Sequence, residues 1–252
     1  MHDSSDLATA GFANGERYQS ARPDYPVAAV EYLVRTLRVT ERSHVVDLGA
    51  GTGIFTEQLV PYGCRITAVE PTAGMRAVLA ARLSSVEVLD GRDVEIPLAS
   101  RSVDCVVVAQ AFHWFDAPAA LEEIHRVLVA GGGLGLIWNE RDESVDWVAE
   151  LGRAMRWPQN RPYDMATDYS VVLAAGPFEH VERRVFRHHQ TLDHETLLQR
   201  VLTSSYIAVM AEQERHELMT GVTEVVLGLP HRVEPPYVTT TYRASATRRR
   251  AT

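Results

Sequence analysis

The chain carries the stretch Val45-Val46-Asp47-Leu48-Gly49-Ala50-Gly51-Thr52-Gly53. Its β-branched start is typical of a buried strand in a parallel sheet. Its alternating glycines predict a tight turn between a strand and a helix, where the backbone can come close to a ligand. Residues 54–60 then have helical spacing, and Pro61 ends that pattern. We therefore expect an α/β fold with a ligand site at this turn.

The glycine spacing of this turn distinguishes between two kinds of ligand. A dinucleotide site follows the pattern G-x-G-x-x-G and places a phosphate at a helix N-terminus. The sixth position is Ile54 when counted from Gly49, and Thr56 when counted from Gly51, so the third glycine of that pattern is missing. The Asp47 carboxylate would repel a pyrophosphate but suits a cationic ligand. A glycine-rich turn that binds nothing is the structural alternative.

A second acidic residue follows the next predicted strand. Residues 65–70 form an apolar run that ends at Glu70, about 20 residues past the glycine turn, which is the spacing at which an acid meets a ribose. A carboxylate there can accept hydrogen bonds from both ribose hydroxyls. The spacing indicates an adenosine ligand, but it does not separate one adenosine cofactor from another.

The pattern D-x-G-x-G-x-G, followed by Glu70, resembles the class I S-adenosylmethionine (SAM)-dependent methyltransferases. The resemblance implies a Rossmann-like, seven-stranded, mostly parallel sheet with helices on both faces and a small helical substrate lobe. It also implies SAM as cofactor and S-adenosylhomocysteine as product. In that family the turn lies under the methionine and ribose parts of SAM, and the preceding acid contacts the amino end. The matching cofactor-binding positions are Asp47, Gly49, Ala50, Gly51 and Gly53.

Further cofactor contacts follow from the same resemblance. Residues just after the second-strand acid pack on the adenine in that family, and Pro71 and Met75 stand at those positions. Met75 is alternatively a core side chain. Where the family often has G-x-A-E-x-L-P, Asp93 replaces the alanine and Val94 the glutamate. Asp93 could accept from the adenine amino group, and the backbone of Val94 could still donate.

The fourth predicted strand, residues 105–109, leads into a polar and aromatic segment. Its apolar run is typical of a central parallel strand, and ligands in open α/β sheets bind beyond the carboxyl ends of strands. Gln110-Ala111-Phe112-His113-Trp114-Phe115 follows. This Q-x-x-H-W-F pattern resembles the trans-aconitate methyltransferase-like (methyltransferase type 11) subgroup. The resemblance places Gln110 near the methionine part of SAM, and His113 and Trp114 at the methyl-transfer region as candidate catalytic residues. The alternatives are a hydrogen-bonded structural histidine and a tryptophan that packs in a wall.

The N-terminal stretch resembles the same subgroup. Residues 18–26 follow the pattern Y-x-x-x-R-P-x-Y-P, which in that subgroup folds over the cofactor as a lid. Tyr18 and Arg22 are therefore candidates for cofactor or substrate contact. Alternatively, Tyr18 packs and Arg22 pairs with a surface carboxylate.

Composition excludes several other functions. The chain of 252 residues has a net charge of −8 at pH 7, which disfavours nucleic acid and anionic membranes as partners. We find no apolar run of the roughly 20 residues that a membrane span needs and no secretory signal at residues 1–10. We therefore expect a cytoplasmic protein, either a monomer or a homodimer. Cys64 and Cys105 lie in apolar runs and are expected to be free thiols.

The expected organisation is one compact domain with three parts. Residues 1–40 hold the lid and the first helix, 41–157 the SAM-binding core, and 158–252 the C-terminal strands and the helical lobe. We expect the fifth strand to begin at Leu134, after three glycines, and residues 158–180 to be irregular. We expect no metal site at the histidine pair 188–189, because adjacent residues on a strand face opposite ways.

The expected reaction moves the methyl group of SAM to a small-molecule acceptor, most readily at an oxygen. A carboxylate acceptor needs no base and only has to be oriented, for which Trp114, Arg22 and Arg161 are candidate donors. A hydroxyl, phenol or amine acceptor needs a base, and His113 is the natural one, since the ordinary pKa of histidine lies near 6.5. The resemblance favours a small acid that forms a methyl ester. A non-catalytic SAM- or nucleoside-binding protein and an NAD-dependent dehydrogenase are the alternatives.

Overall fold

In the computed structural model, the described residues are 23–160, 167–208 and 210–247. The predicted cofactor contacts Tyr18 and Arg22, and the candidate donor Arg161, lie outside these ranges. The lid prediction therefore stays a prediction.

The described strands form a seven-stranded sheet and a separate two-stranded one. The strands of the large sheet are β1 (His44–Leu48), β2 (Arg65–Val69), β3 (Glu87–Leu89), β4 (Val103–Ala109), β5 (Leu128–Arg141), β6 (Phe178–His189) and β9 (Pro236–Ala246). The small sheet pairs β7 (Leu192–Asp193) with β8 (Arg232–Val233) in antiparallel fashion.

Helices lie between several of these strands in the described part of the chain. In chain order they are α1 (Val27–Thr36), α2 (Ile54–Leu59), α3 (Ala73–Arg82), α4 (Ala117–Val127), α5 (Asp146–Ala154), α6 (Trp157–Asn160), α7 (Tyr169–Ala175), α8 (His194–Leu202), α9 (Ser205–Ala208) and α10 (Glu212–Leu227). Single 3₁₀ turns follow α2 at Val60–Tyr62 and β4 at Phe112–Trp114.

The large sheet has the strand order β3-β2-β1-β4-β5-β9-β6. The pairs β1–β2, β1–β4, β2–β3 and β4–β5 are parallel. The β-branched residues Val45 and Val46 of β1 are fully buried, as a central strand with covered faces requires. The predicted fold class, a Rossmann-like, mostly parallel seven-stranded sheet with helices, is confirmed.

Two hydrogen bonds show the direction of β9 against β5. The Asp142 N–H, just past β5, donates to the Pro236 carbonyl at 2.9 Å, and the Thr239 hydroxyl donates to Asn139 Oδ1 at 2.8 Å. From the first pair to the second, the residue number falls by three along β5, from Asp142 to Asn139, and rises by three along β9, from Pro236 to Thr239. The two strands are therefore antiparallel.

The fifth strand begins earlier than the glycine-based prediction. It starts at Leu128 rather than Leu134, so the prediction that the strand begins after the three glycines is wrong. The pairing shifts here, because Val103 lies opposite Leu128 whereas Cys105 lies opposite Gly133. Gly131 has φ +77°, a conformation that glycine adopts at little cost. The glycines therefore allow an irregular start to the strand.

The segment 158–180, expected to be irregular, contains a helix that the sequence analysis missed. Asp168 caps α7 by accepting a hydrogen bond from the Ser170 N–H at 2.9 Å. Helix caps of this kind stabilise a short helix by satisfying an otherwise unpaired amide.

The chain divides into two compact units. The sheet unit comprises Asp24–Asn139, Met165–Phe186 and Thr239–Thr252, and it contains the glycine turn. The helical unit comprises Met1–Pro23, Glu140–Asp164 and Arg187–Val238. In the helical unit α5, α8 and α10 share an apolar core that includes Leu151, Val201 and Val222. The predicted boundaries at residues 40 and 157 stay predictions.

The two cysteines are free thiols, as expected. Burial raises the pKa of Cys105 to about 12. Among the described residues, no helix is both long and apolar enough to cross a bilayer.

The packing of Gly53 gives a prediction about stability. Its φ is +87°, and a Cβ there would lie 2.9 Å from Leu79 Cγ. We expect Gly53→Ala to lower the free energy of unfolding by roughly 1–3 kcal/mol, through backbone strain and overpacking. Gly74→Ala is the matched control, since a Cβ at Gly74 has no described atom within 4 Å. Urea denaturation measures both, and equal midpoints for the two variants would contradict the packing argument.

Candidate active site

The glycine turn lies between β1 and α2 at the carboxyl edge of the parallel strands. Gly49, Gly51 and Gly53 all have left-handed backbone, with φ of +72°, +58° and +87°. A Cβ at Gly49 would lie 2.8 Å from the Ala111 Cβ, so the turn packs directly on the segment that follows β4. Among the described residues, a Cβ at Gly51 would contact only Met75 Sδ, at 3.8 Å.

Asp47 is fully buried at the end of β1. Its Oδ2 accepts a hydrogen bond from the Thr56 hydroxyl at 2.6 Å. Its Oδ1 is also buried, and no described residue donates to it. Burial raises the pKa of Asp47 to about 7; the Thr56 hydrogen bond opposes this rise, and the nearby negative charge of Glu70 adds to it.

Glu70 connects the glycine turn to the start of α3. Its Oε2 accepts from the Gly51 N–H and its Oε1 from the Thr72 N–H, both at 2.9 Å. The side chain is buried. Each carboxylate oxygen has two acceptor sites, so these two bonds leave capacity for ribose hydroxyls. Glu70 thus has a role that the sequence did not show, because it fixes the turn as well.

Two other predicted contacts lie near this edge but differ in exposure. Met75 is buried, and its sulfur lies against Gly51. Pro71 is exposed at the start of the α3 segment. The position of Met75 fits both a core side chain and a wall of the cofactor site.

Asp93 has a structural partner. Its Oδ2 accepts from the Asp116 N–H at 3.2 Å, at the start of α4. Burial raises the pKa of Asp93, and its backbone hydrogen bonds oppose that rise. Val94 is exposed. Asp93 therefore holds the start of α4 with one of its carboxylate oxygens.

Gln110 has a strained backbone and a fixed amide. Its φ is +53°, a left-handed conformation that costs a residue with a Cβ about 1 kcal/mol. Its Nε2 donates to the Asn139 carbonyl at 2.9 Å. A carbonyl can only accept, so this bond fixes which end of the amide is the NH₂ group. The remaining Oε1 is buried, and no described side chain or backbone group donates to it.

His113 contacts a tryptophan that the sequence analysis did not select. The Trp138 indole N–H donates to His113 Nδ1 at 3.3 Å, so the ring proton lies on Nε2. Burial lowers the pKa of His113 to about 3. The imidazole is therefore neutral at pH 7, with its basic nitrogen engaged. This geometry disfavours a role of His113 as a general base and fits a role as a hydrogen-bond donor.

An aromatic cluster surrounds this histidine. The His113 and Trp114 rings lie 4.9 Å apart, and Trp138 stacks on Tyr169 with centroids 4.2 Å apart. Phe112 meets the edge of Tyr169 at 5.8 Å. Trp138 and Tyr169 come from β5 and α7, far from residues 110–115 in sequence. A local motif could not have identified them.

The unpaired acceptors test whether SAM fits this site. Asp47 Oδ1 and Gln110 Oε1 follow the neighbouring strands β1 and β4, and both lack a described donor. Buried acceptors without donors are costly. A ligand that carries an ammonium group would satisfy them, and SAM has one at its methionine end. The site therefore fits SAM.

Comparisons with known proteins agree with this geometry. Residues 46–136 match the model of a methyltransferase domain family. An uncharacterised methyltransferase of Mycobacterium tuberculosis is 37% identical over 233 residues, which cover 90% of this chain and 92% of the relative. A methyltransferase-like protein of Schizosaccharomyces pombe is 31% identical, with 84% of each chain covered. A solved structure from Anaeromyxobacter dehalogenans, named as a type II methyltransferase, has a TM-score of 0.66 at 23% identity and covers 90% of this chain and 97% of its own. That likeness shows the fold alone.

The burial of Asp47 predicts how stability depends on pH. Its pKa of about 7 in the fold lies above the ordinary value of 3.8, so the folded protein keeps a proton that the unfolded chain releases. The protonated Asp47 side chain makes its full contribution to the free energy of unfolding below about pH 4. This contribution, up to roughly 4 kcal/mol, is lost as the pH rises through 7. Asp47→Asn cannot ionise and should lose this decline. Unfolding by urea at pH 4 to 8 measures it, with exposed Asp90→Asn as control; equal pH slopes in Asp47→Asn and the wild type would contradict the assignment.

Proposed function

Because the chain belongs to the class I SAM-dependent methyltransferases, we propose that it methylates a carboxylate oxygen of a small-molecule acceptor. We also propose membership of the trans-aconitate methyltransferase-like subgroup, on the Q-x-x-H-W-F pattern of residues 110–115. The cytoplasmic location and the monomeric or dimeric state stay predictions. The observation that carries the proposed acceptor is the neutral, hydrogen-bonded state of His113.

The residues at the carboxyl edge of the sheet would hold SAM as follows. Glu70 would accept from the ribose hydroxyls, while Asp47 and Gln110 would accept from the amino group. Met75 would pack on the adenine, and Asp93 would accept from its amino group. Bound SAM supplies a methyl group that is already activated on a sulfonium.

His113 has the properties of a donor rather than a base. A general base works best with a pKa near the operating pH, whereas burial lowers the pKa of His113 to about 3. Its basic nitrogen, Nδ1, already accepts from Trp138. A hydroxyl, phenol or ammonium acceptor would have to lose a proton, for which this ring is poorly suited. A carboxylate has no proton to lose, and the Nε2–H group could orient it.

Trp114 would complete the orientation of the acceptor. It lies on the 3₁₀ turn beside His113, half-buried. Its indole N–H is a hydrogen-bond donor and its ring an apolar wall. Orientation alone can contribute several kcal/mol to a displacement reaction.

A turnover screen tests this proposed function. Purified protein with SAM is incubated with small carboxylic acids, and S-adenosylhomocysteine release is measured, with the matched phenols and amines as parallel arms. We expect release with an acid and formation of its methyl ester. Release only with phenols or amines would overturn the carboxylate acceptor. Binding of SAM without release for any acceptor would indicate a regulatory protein, and tighter binding of NAD than of SAM would overturn the cofactor.

Glu70 gives a prediction for cofactor affinity. We expect Glu70→Ala to weaken S-adenosylhomocysteine binding about tenfold to a hundredfold, since hydrogen bonds to a charged group are worth roughly 1.5–3 kcal/mol. Calorimetry measures the affinity, with exposed Glu31→Ala as control.

Because Glu70 also holds the glycine turn, a second ligand separates its two roles. The wild type should bind S-adenosylhomocysteine better than its 2′-deoxy analogue, and Glu70→Ala should lose most of that preference. An undiminished preference in Glu70→Ala would restrict Glu70 to a structural role.

His113 and Trp114 give a prediction for the reaction. With a carboxylate acceptor, the pH–rate profile should be flat between pH 6 and 9 in both the wild type and His113→Ala, because no proton leaves. Trp114→Phe keeps the ring but deletes the N–H, so it should mainly raise the acceptor KM and lower turnover. Exposed His216→Ala is the control. A loss of about 10²–10⁴-fold in His113→Ala, with disappearance of a limb near pH 6.5, would instead identify a general base.

A further inference from the structure

Tyr237 and His188 lie opposite each other on neighbouring strands of the sheet. Arg243 of β9 pairs with Glu182 of β6. Six residues back along β9 is Tyr237, and six residues forward along β6 is His188. Their rings stack with centroids 5.4 Å apart. The two strands are therefore antiparallel, with Tyr237 and His188 on the same face.

Arg141 extends this row on the other side of β9. The bond from the Asp142 N–H to the Pro236 carbonyl sets the antiparallel register of β5 against β9. Arg141 precedes Asp142 by one residue and Tyr237 follows Pro236 by one residue, so this register places Arg141 opposite Tyr237. Directly opposed residues of antiparallel strands share a face. Arg141, Tyr237 and His188 thus form one row across three strands, and all three belong to the helical unit.

A second arginine of the helical unit reaches the same tyrosine. Arg200 of α8 donates from Nη1 to the Tyr237 hydroxyl at 2.8 Å, and its guanidinium lies 5.8 Å from the ring centroid. Arg200 and Tyr237 are both buried. Two guanidinium groups therefore belong to one small cluster, which we call the arginine cluster: Arg141, His188, Arg200 and Tyr237.

Arg141 has no anionic partner among the described residues. Its Nε is buried without a hydrogen-bond acceptor, and its guanidinium lies over the Trp157 ring at 5.3 Å. The nearby Asp142 carboxylate is instead engaged by Arg187 and the Ser144 hydroxyl. A buried N–H of a charged group without an acceptor is costly, so an anion at this place would be stabilised.

The surroundings of His188 point the same way. Burial lowers the pKa of His188, and the positive charges of His189 and Arg200 lower it further. The positive charges of His189 and Arg200 beside this ring favour an anionic ligand.

We propose that the arginine cluster binds a carboxylate group of a small-molecule ligand, with Arg141 as the principal anchor. A guanidinium presents a planar fork of N–H donors that matches the two oxygens of a carboxylate. The flat Trp157 and Tyr237 rings hold the two guanidinium groups in place by cation–π contact. The cluster would select acids over their neutral analogues.

Calorimetric titration of the full-length protein, with and without S-adenosylhomocysteine, tests this site. The probes are succinate, citrate and benzoate, with succinamide and benzamide as neutral analogues and inorganic phosphate as a second oxyanion. We expect at least one carboxylate to bind and its amide to bind at least tenfold more weakly. Arg141→Gln should weaken carboxylate binding about tenfold to a hundredfold, and Arg141→Lys should restore part of it. Exposed Arg153→Gln of α5 is the matched control.

The outcomes separate the site from the proposed function. Unchanged S-adenosylhomocysteine affinity in Arg141→Gln shows that the variant is folded, so a loss of carboxylate binding then supports the site. The proposal is overturned if Arg141→Gln binds carboxylates as tightly as the wild type does. It is also overturned if the wild type binds the amides as tightly as the acids, binds only phosphate, or binds none of the three acids. If S-adenosylhomocysteine does not bind the wild type, the proposed function is overturned, whatever the effect of Arg141→Gln on carboxylate binding.

Discussion

The packing of the sheet unit around its ligand edge depends on three glycines with left-handed backbone after β1. Positions 49, 51 and 53 all have positive φ, which lets the chain turn sharply from β1 into α2. The turn then fits between Ala111 on one side and Leu79 on the other. The amide of Gly51 faces Glu70, whose second oxygen holds the start of α3. The ends of β1 and β2 are thus joined by one carboxylate, and its contact with a ribose stays a prediction.

The sequence was informative wherever a local pattern has a single structural solution. Apolar β-branched runs located the inner strands, because a parallel strand buried on both faces tolerates few polar residues. The glycine spacing located the turn from β1 into α2. Local patterns failed where partners come from distant segments. Trp138 reaches His113 from β5, and Tyr237 brings Arg200 beside the end of β5. The three glycines at 131–133 were misassigned because the same residues suit a helix end and a bulged strand.

The chemistry of His113 comes from its surroundings rather than from its residue type. An imidazole in water titrates near pH 6.5 and would suit a general base. Burial and the indole N–H of Trp138 instead keep this ring neutral with its proton on Nε2. Asp47 shows the opposite shift for the same reason, since burial raises the pKa of its carboxyl group. In both cases burial favours the uncharged form. A bound cationic cofactor would favour the charged form of Asp47, because opposite charges attract, but it would not favour the charged form of His113.

The position of β9 between β5 and β6 has a consequence for how the protein is made. A ribosome delivers the chain from its N-terminus, and segments begin to fold as they emerge. Among the described strands, β6 has no neighbour in the sheet other than β9, and β9 is synthesised after both β5 and β6. Until it arrives, β5 presents an open edge that can pair wrongly with other chains. β9 therefore closes the sheet from within, and a nascent chain that has not yet reached β9 depends on chaperones more than its length alone would suggest.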